Sequence, residues 1–377
     1  MTRNSPRPTD RDHLDGVVVI GGGYAGVTAA QSAQQAGVPT TLIDPTDCHD
    51  LTTRLAAVAG GTAPVDDATI PLDRLVERSI RACVTSVDDG AVTLDDGRTV
   101  TADAVVMTVG SVSMRPPIDG LQHAPSLRTA EQAVEIRGLI ESTSDRLVIV
   151  GGGPTGVQLA GAAAAAHPDL AITLIDGNSR LLSEMSDELG EHARRILDER
   201  DVEVILECLV DTIDEGGVLL PDGGGRRDGS VVFTGGFEAD AKRFGLPVHD
   251  DGRIDVGRDL RVVDHDRTFA AGDVAAHIDR NGERLPMSAQ IAVQAGHHAG
   301  ANAARLVQGR QLTDADLQHR GWVMDLGGWQ GLATVGPLTL AGPWIDRLPP
   351  VLHFGIDAKH LVDVTGFDAW RHLLGRL

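Results

Sequence analysis

Two copies of one strand–turn–helix pattern constrain this chain more than any other feature of its sequence. Each copy has four apolar residues, at 17–20 and 147–150, followed by a glycine-rich turn and an apolar, Ala-rich stretch. Such a succession is typical of the opening of a βαβ unit. Both turns have the spacing GxGxxG, set by Gly21, Gly23 and Gly26 in the first copy and by Gly151, Gly153 and Gly156 in the second.

An acid that follows each copy argues against a chance match. With 45 glycines among 377 residues, chance alone gives roughly 0.6 matches to the glycine pattern per chain. Both copies here also precede a second apolar strand, which ends in Asp44 or in Asp176. In dinucleotide-binding folds the glycines let a pyrophosphate approach the backbone at a helix N-terminus, and the acid accepts hydrogen bonds from a ribose. The sequence therefore predicts two nucleotide-binding folds.

The two acids also bear on the choice of nucleotide. A carboxylate at the ribose disfavours a 2′-phosphate, so the pattern favours NADH over NADPH. Arg180, four residues past Asp176, weakens that preference because a guanidinium could pair with a phosphate.

Further segments complete the predicted architecture. Asp-Gly pairs at residues 89–90 and 96–97 predict a hairpin over 83–102. A long helix is predicted over 289–306. Three more apolar strands end in polar or glycine-rich turns, namely 105–107 before Thr108-Val109-Gly110, 231–233 before Thr234-Gly235-Gly236, and 268–271 before Gly272-Asp273.

Composition excludes several classes of function. The formal net charge of −21 repels nucleic acid, so nonspecific phosphate-backbone binding is excluded. Six Phe, four Trp and one Tyr are too few for aromatic clamps to be the main binding device. No metal site is expected, because the adjacent His297 and His298 diverge on a helix and have no acid or Cys partners at ligand spacing.

The termini suggest a cytoplasmic protein. Residues 1–14 are polar and are interpreted as a disordered lead, and the chain has neither a signal-peptide core nor an apolar stretch of 18 or more residues. All four Trp follow residue 320, so residues 314–377 are interpreted as a separate C-terminal module. Its neutral end, 343–377, carries one apolar helical face, which favours packing on the core or a homodimer interface over peripheral membrane contact. That face comprises Phe367, Trp370, Leu373, Leu374 and Leu377.

The two glycine motifs and the segment 268–273 together resemble the FAD-dependent pyridine nucleotide oxidoreductase superfamily, within it the type II NADH dehydrogenase-like branch. Segments 54–60, 127–133, 252–275, 287–290 and 332–336 are also similar to that family. The resemblance implies an α/β fold with two Rossmann-like dinucleotide-binding domains and a small C-terminal module. An FAD domain over 15–115 and 250–313 would be discontinuous, with an NAD(P)H domain over 116–249 inserted into it.

The resemblance also implies which residues bind the cofactors, FAD and NADH or NADPH. Backbone at Val84 would meet the adenine of FAD, Gly272 and Asp273 its ribityl and pyrophosphate, and Ala289 and Gln290 the isoalloxazine. The full FAD set is Gly21, Gly23, Tyr24, Ala25, Gly26, Asp44, Arg54, Val84, Thr108, Gly110, Gly272, Asp273, Ala289 and Gln290. The nicotinamide nucleotide set is Gly151, Gly153, Thr155, Gly156, Asp176 and Gly235.

Cysteine positions separate this chain from the thiol-dependent members of the superfamily. Those members carry a CxxxxC pair, or one cysteine about ten residues past the first acid. Here Cys48 lies four residues past Asp44 and the tenth residue is Arg54, while Cys83 and Cys208 are remote in sequence. Electrons are therefore expected to leave the flavin directly, and no side chain is predicted to act as acid, base or nucleophile.

One departure from the family concerns the nicotinamide side. Relatives usually have Glu two residues after the last glycine of the second motif, and often four residues later again. This chain has Gln158 and Ala162 there, which puts the use of nicotinamide in question.

Three functions are compatible with these features. The leading hypothesis is an enzyme that takes hydride from NAD(P)H onto FAD and passes electrons to a quinone or another small acceptor. The second is a reductase of a small redox protein or a biosynthetic tailoring flavoenzyme. The third is a flavin-binding redox sensor whose nicotinamide site has decayed.

Overall fold

The computed structural model describes residues 12–143, 146–221, 224–239, 241–336 and 338–340. The chain forms two compact units. Among the described residues, the first unit comprises 12–49, 71–111 and 239–319, and the second comprises 50–70, 112–238 and 320–340. The predicted lead before residue 12 and the predicted apolar face within 343–377 lie outside the described residues.

Helices and strands alternate along much of the chain. The α-helices are α1 (Tyr24–Gln35), α2 (Leu55–Gly60), α3 (Ala130–Ser142), α4 (Pro154–Ala166), α5 (Asp187–Asp198) and α6 (Ala289–Val307). The strands of the N-terminal third are β1 (Asp12–Ile20), β2 (Thr40–Asp44), β3 (Cys48–Asp50), β4 (Thr69–Pro71), β5 (Ser79–Arg81), β6 (Val84–Asp88), β7 (Ala91–Leu94) and β8 (Thr99–Met107). The others are β9 (Val112–Ser113), β10 (Arg146–Val150), β11 (Ala171–Ile175), β12 (Glu203–Ile205), β13 (Thr212–Asp214), β14 (Gly217–Leu219), β15 (Arg226–Asp228), β16 (Ser230–Phe233), β17 (Phe237–Glu238), β18 (Thr268–Ala270), β19 (Val323–Asp325), β20 (Gly331–Val335) and β21 (Leu338–Leu340).

The first unit is built on a seven-stranded sheet with the order β5-β2-β1-β8-β7-β6. Its last strand in sequence, β18, also pairs with β8. Strands β5, β2, β1, β8 and β18 run parallel, whereas β6, β7 and the start of β8 form an antiparallel meander. The predicted hairpin over 83–102 is therefore confirmed.

Strand β8 changes its neighbour part-way along. Its residues Thr99 to Thr101 pair with β7, and Val105 to Met107 pair with β18. On its other side β8 pairs with β1 from Asp12 onwards. Strand β1 thus begins earlier than the apolar run at 17–20 indicates, because the polar residues before that run pair with the start of β8. The carboxyl ends of β1, β8 and β18 meet at one edge of the sheet, where parallel α/β folds bind ligands.

The second unit repeats this arrangement on a smaller scale. Its four-stranded sheet has the order β12-β11-β10-β16, and all pairs are parallel. The first strand, β10, lies between β11 and β16, as β1 lies between β2 and β8 in the first unit. The second unit also contains the short antiparallel sheets β13-β14-β15, β9-β17 and β19-β20-β21. The predicted fold class, α/β with two Rossmann-like folds, is confirmed.

Tight packing brings the segment 50–70 into the second unit. A Cβ atom on Gly60, the last residue of α2, would lie 2.6 Å from the Cβ atom of Ala162 in α4. From α3, the guanidinium of Arg137 donates a hydrogen bond to the carbonyl of Ala63 at 2.9 Å. The sequence alone had placed this segment in the FAD domain, and the assignment of cofactors to domains stays a prediction.

Arg200 joins residues 326–330 to the rest of the second unit. Its Nη1 donates to the carbonyls of Gly161 and Leu326, and its Nη2 to the carbonyl of Gly327 and to Oε1 of Gln330. Three of these bonds hold the turn between β19 and β20, and the fourth connects the guanidinium to α4.

A stripe of small residues lets α1 and α6 approach closely in the first unit. A Cβ atom on Gly296 would lie 2.2 Å from the carbonyl oxygen of Ala25, and one on Gly300 would lie 2.1 Å from that of Ala29. Both distances are far below van der Waals contact, so the backbones can pack together only because these two residues are glycine. The hydroxyl of Ser32 adds a hydrogen bond to the carbonyl of His297.

Substituting Gly300 with Ala should destabilise the protein. The added methyl group overlaps the carbonyl of Ala29 and forces the helices apart, at a cost of about 1–3 kcal/mol. Gly138 in α3 is the matched control because no atom lies within 4 Å of its Cβ position. Gly138→Ala should stabilise by roughly 0.5–1 kcal/mol through helix propensity. Urea unfolding of both variants measures this, and equal effects would contradict the packing argument.

No helix among the described residues is long and apolar enough to span a membrane.

Candidate dinucleotide-binding sites

The first glycine turn connects β1 to α1, and each glycine has its own steric reason. Gly21 has a φ of +105°, and a Cβ atom there would lie 2.5 Å from the carbonyl oxygen of Thr108. A Cβ atom on Gly26 would lie only 1.8 Å from the carbonyl oxygen of Gly21. At Gly23 nothing lies within 4 Å of the Cβ position, so this residue leaves open space beside the helix N-terminus.

The second turn, between β10 and α4, has the same geometry. Gly151 has a φ of +122°, and its Cβ position lies 2.6 Å from the carbonyl oxygen of Thr234. A Cβ atom on Gly156 would lie 1.8 Å from the carbonyl oxygen of Gly151, and again nothing lies near the Cβ position of Gly153. The two predicted motifs are therefore equivalent in structure as well as similar in sequence.

One threonine secures each turn from the neighbouring strand. The buried hydroxyl of Thr108 donates to the carbonyls of Ile20 and Gly21, and that of Thr234 donates to those of Val150 and Gly151. Thr108 was predicted to bind a cofactor, but its hydroxyl is used inside the protein. Thr234, which follows an apolar strand as Thr108 does, was not among the predicted site residues.

The helices that follow the turns begin without a side-chain cap. Neither α1 nor α4 has a capping hydrogen bond from a side chain. Neither helix has an acidic residue in its first turn. By contrast, Thr129 caps α3 and Ser288 caps α6. A helix start without a side-chain cap, at the positive end of the helix dipole, suits a phosphate, and the open space at Gly23 and Gly153 admits one.

The two acids bind back to the glycine turns. Oδ2 of Asp44 accepts a hydrogen bond from the amide of Gly22 at 2.6 Å, and Oδ2 of Asp176 accepts one from the amide of Gly152 at 2.5 Å. Each Oδ1 accepts two more bonds, from Thr46 or from Asn178. A carboxylate can accept about four hydrogen bonds, so both acids keep capacity for a ribose hydroxyl.

A buried histidine, not predicted from the sequence, supports the first turn. Nδ1 of His49 lies 2.8 Å from the carbonyl oxygen of Gly22, so the proton must be on Nδ1. Burial lowers the pKa of His49 to about 4, although the Gly22 bond and the charge of Asp44 oppose that shift. The ring of Tyr24, the only tyrosine, packs edge-on against it at 4.9 Å between centroids. His49 in β3 thus contacts the glycine turn through Gly22 and the start of α1 through Tyr24.

The third element of the first site is the turn after β18. Gly272 has a φ of +81°, and its Cβ position lies 2.9 Å from the Cβ atom of Ala25 at the start of α1. Oδ2 of Asp273 accepts a hydrogen bond at 2.9 Å from the hydroxyl of the buried Ser111. Ser111 was also missed, since a lone serine after a strand carries no signal of this contact.

The remaining predicted residues occupy various positions. Ala289 and Gln290 are the half-buried first residues of α6, and Val84 is the buried first residue of β6. Arg54, a predicted FAD residue, lies in the second unit, where its Nη2 pairs with Asp67 at 2.9 Å. Gly110 is half-buried after β8, Thr155 is half-buried in the first turn of α4, and Gly235 is exposed after β16.

Residues that bear on the nicotinamide side make contacts within the second unit. Ala162 is buried and packs closely against Gly60 of α2, so this position has a packing role in this chain. Gln158 is half-buried one turn earlier. Arg180 donates to the carbonyls of Leu182, Ser183 and Met185 and pairs with Asp187. Its guanidinium is thus used to hold its own loop.

Each glycine turn, with the uncapped helix start that follows it and the acid that binds back to it, forms a cradle of backbone amides, and a pair of such cradles is typical of proteins that bind two dinucleotides. Among the described residues, no group of three or more His, Cys, Asp or Glu side chains could hold a metal ion. A family model described as pyridine nucleotide-disulphide oxidoreductase matches residues 15–296. The chain belongs to this family. It is an FAD-dependent NAD(P)H oxidoreductase whose cofactors are FAD and NAD(P)H, as the sequence predicted.

Individual proteins resemble the chain over most of its length. A type II NADH:quinone oxidoreductase of Staphylococcus epidermidis is 27% identical over 365 residues, which cover 86% of this chain and 91% of that protein. NDH2 from Plasmodium falciparum, solved in complex with NADH, has a TM-score of 0.75 at 15% identity and covers 95% of this chain and 99% of its own. The water-forming NADH oxidase from Lactobacillus brevis has a TM-score of 0.72 at 19% identity, covering 85% of this chain and 74% of its own. At these identities the two structures establish a shared fold.

His49 should make the protein less stable in mild acid. Its folded-state pKa of about 4 lies below the ordinary value of 6.5 for histidine. Between these two pH values the unfolded chain therefore binds a proton that the folded state does not. The free energy of unfolding should therefore be highest above pH 6.5 and fall by about 1–3 kcal/mol as the pH drops towards 4.

His49→Asn keeps a donor for the Gly22 carbonyl but cannot titrate, so its stability should fall less steeply over this range. His123→Asn, at an exposed position, serves as the control. Urea unfolding at a series of pH values measures the effect, and identical slopes for wild type and His49→Asn would refute it.

Proposed function

We propose that the protein oxidises NADH and passes the electrons from its flavin to a quinone. The observation that carries the proposal is the pair of equivalent cradles in a chain whose three cysteines, Cys48, Cys83 and Cys208, are all free. The type II NADH:quinone oxidoreductases of two Staphylococcus species, each 27% identical to this chain, support the choice of acceptor.

The flavin, when bound, supplies the redox chemistry by accepting hydride from the nicotinamide and releasing electrons to the acceptor. The first cradle, with Gly21, Gly23, Gly26 and Asp44, would hold FAD. Gly272 and Asp273 would extend that site along the ribityl chain, with Asp273 oriented by Ser111. These groups bind and orient, and no proton transfer by a side chain is required of them.

The second cradle would hold NADH in preference to NADPH. With the adenosine ribose bound at Asp176, a 2′-phosphate would lie beside this carboxylate, and such a like-charge contact is unfavourable. Arg180 is the cation that could offset this, but its hydrogen bonds to the 182–185 backbone and its pairing with Asp187 direct it elsewhere. Ion pairing with a nucleotide phosphate would require these bonds to break.

Replacing Asp176 with Asn should shift the nucleotide preference. Loss of the charge removes a charge-assisted bond to the ribose and the repulsion of a 2′-phosphate. The ratio of kcat/KM for NADH to that for NADPH should therefore fall by about tenfold or more. Arg180→Gln is the informative companion, because it should lower thermal stability without changing the ratio. A decrease in NADPH use by Arg180→Gln alone would mean that Arg180 does bind the phosphate.

Direct transfer from flavin to quinone should survive loss of every thiol. Reduction of a short-chain quinone by NADH should stay within about twofold of wild type in Cys48→Ser, Cys83→Ser and Cys208→Ser, alone and combined, because no thiol relays electrons. Anaerobic bleaching of the flavin by NADH is measured first, to show that each variant is loaded and reducible. Collapse of quinone turnover in a variant whose flavin is still bleached would indicate a thiol relay. Faster turnover with a small redox protein than with any quinone would favour the reductase hypothesis.

A further inference from the structure

The turn at Gly272 is where the chain leaves the sheet of the first unit. The last sheet-like hydrogen bond runs from the amide of Ala271 to the carbonyl of Met107 at 2.9 Å. The next residue, Gly272, turns with its positive φ against the start of α1. An amide at such a point has lost its strand partner, and burial makes an unpaired amide costly.

His277 provides the partner for this amide. Nε2 of His277 lies 3.1 Å from the amide nitrogen of Gly272, and only 3% of the His277 side chain surface is exposed. An amide can only donate, so Nε2 must be the acceptor and the proton must be on Nδ1. No described residue forms a hydrogen bond with Nδ1. Among the described protein groups, the Gly272 amide alone therefore selects this tautomer.

The surroundings keep the ring neutral. Burial, together with the positive charges of Arg253 and Arg284, lowers the pKa of His277 to about 3. Both arginines pair with Asp251, which fixes them beside the ring. A neutral ring is what the contact needs, because a charged imidazolium has no acceptor atom.

The backbone of His277 is fixed as well. Its carbonyl accepts a hydrogen bond from the amide of Leu285 at 3.0 Å, and its amide donates to the carbonyl of Ala275 at 3.0 Å. These two backbone bonds hold His277 in a short loop, from which its ring contacts the turn at Gly272. From the other direction, Ser111 holds the carboxylate of Asp273.

We propose that His277 is a positioning residue for the flavin: its neutral imidazole accepts the amide hydrogen of Gly272 and thereby fixes the turn that orients Asp273. The inference rests on the proposed binding of FAD at Gly272 and Asp273. His277 itself need not touch the cofactor. It acts through the turn, so removal of the acceptor should weaken FAD binding while leaving the nicotinamide cradle of the second unit unaffected.

Gln and Met at position 277 form a matched pair of test variants. The two side chains have similar length, but only Gln offers a strong acceptor near the position of Nε2. FAD affinity is measured by titrating the full-length apoprotein and following the quenching of flavin fluorescence. His277→Met should weaken FAD binding by about tenfold, and His277→Gln should restore most of the loss. NADH binding to the same apoproteins should not change, and His265→Met, in a loop of the same unit, should match wild type in both measurements.

Equal FAD affinity for wild type and His277→Met would overturn the proposal, as would equal losses in the Met and Gln variants. If the Met variant does not fold, wild-type apoprotein labelled with ¹⁵N-histidine decides. The ¹⁵N signals of His277, identified by their absence from the spectrum of His277→Gln, should show the Nδ1–H tautomer at pH 7. An Nε2–H tautomer or a charged ring would overturn the proposal. If FAD binds and His277 is in the Nδ1–H tautomer but quinone is not reduced, only the proposed electron acceptor would be wrong.

Discussion

Close contact between a glycine in the first turn of a helix and the carbonyl of the glycine five residues earlier is the constraint on which both glycine turns depend. At Gly26 and at Gly156 a methyl group would overlap the carbonyl of the first glycine, so the helix can start directly at the strand end only without a side chain there. Thr108 and Thr234 then donate to the same carbonyls from the adjacent strand. Each junction is therefore fixed in position, and the first amides of α1 and α4 are left uncapped.

The parts of each site that depend on backbone geometry could be predicted from the sequence. Glycines at fixed spacing and an acid at a strand end have few other uses, so Gly21, Gly151, Asp44 and Asp176 are readable without a structure, and so is the duplicated βαβ architecture. The hairpin signalled by Asp89-Gly90 was equally readable, because that dipeptide suits few other turns.

The supporting side chains could not be read in the same way. His49, Ser111 and His277 act through contacts with residues that are near in space, and such residue types occur at many positions for many reasons. Ala162 is a similar case: comparison with relatives indicated only a missing carboxylate, whereas the structure also shows its close packing against α2. Arg180 was ambiguous for the same reason, since the loop carbonyls that it binds are not visible in a one-dimensional pattern.

The uncapped starts of α1 and α4 have a consequence for how this protein responds to its medium. Phosphates held by lysine or arginine side chains are held by mobile charges, and salt weakens such binding. In the proposed sites the donors would be main-chain amides and a helix dipole, within a chain of net charge −21. Cofactor retention should therefore vary little with ionic strength. It should also be nearly indifferent to substitutions on the protein surface, which are then free to serve solubility or encounters with other molecules.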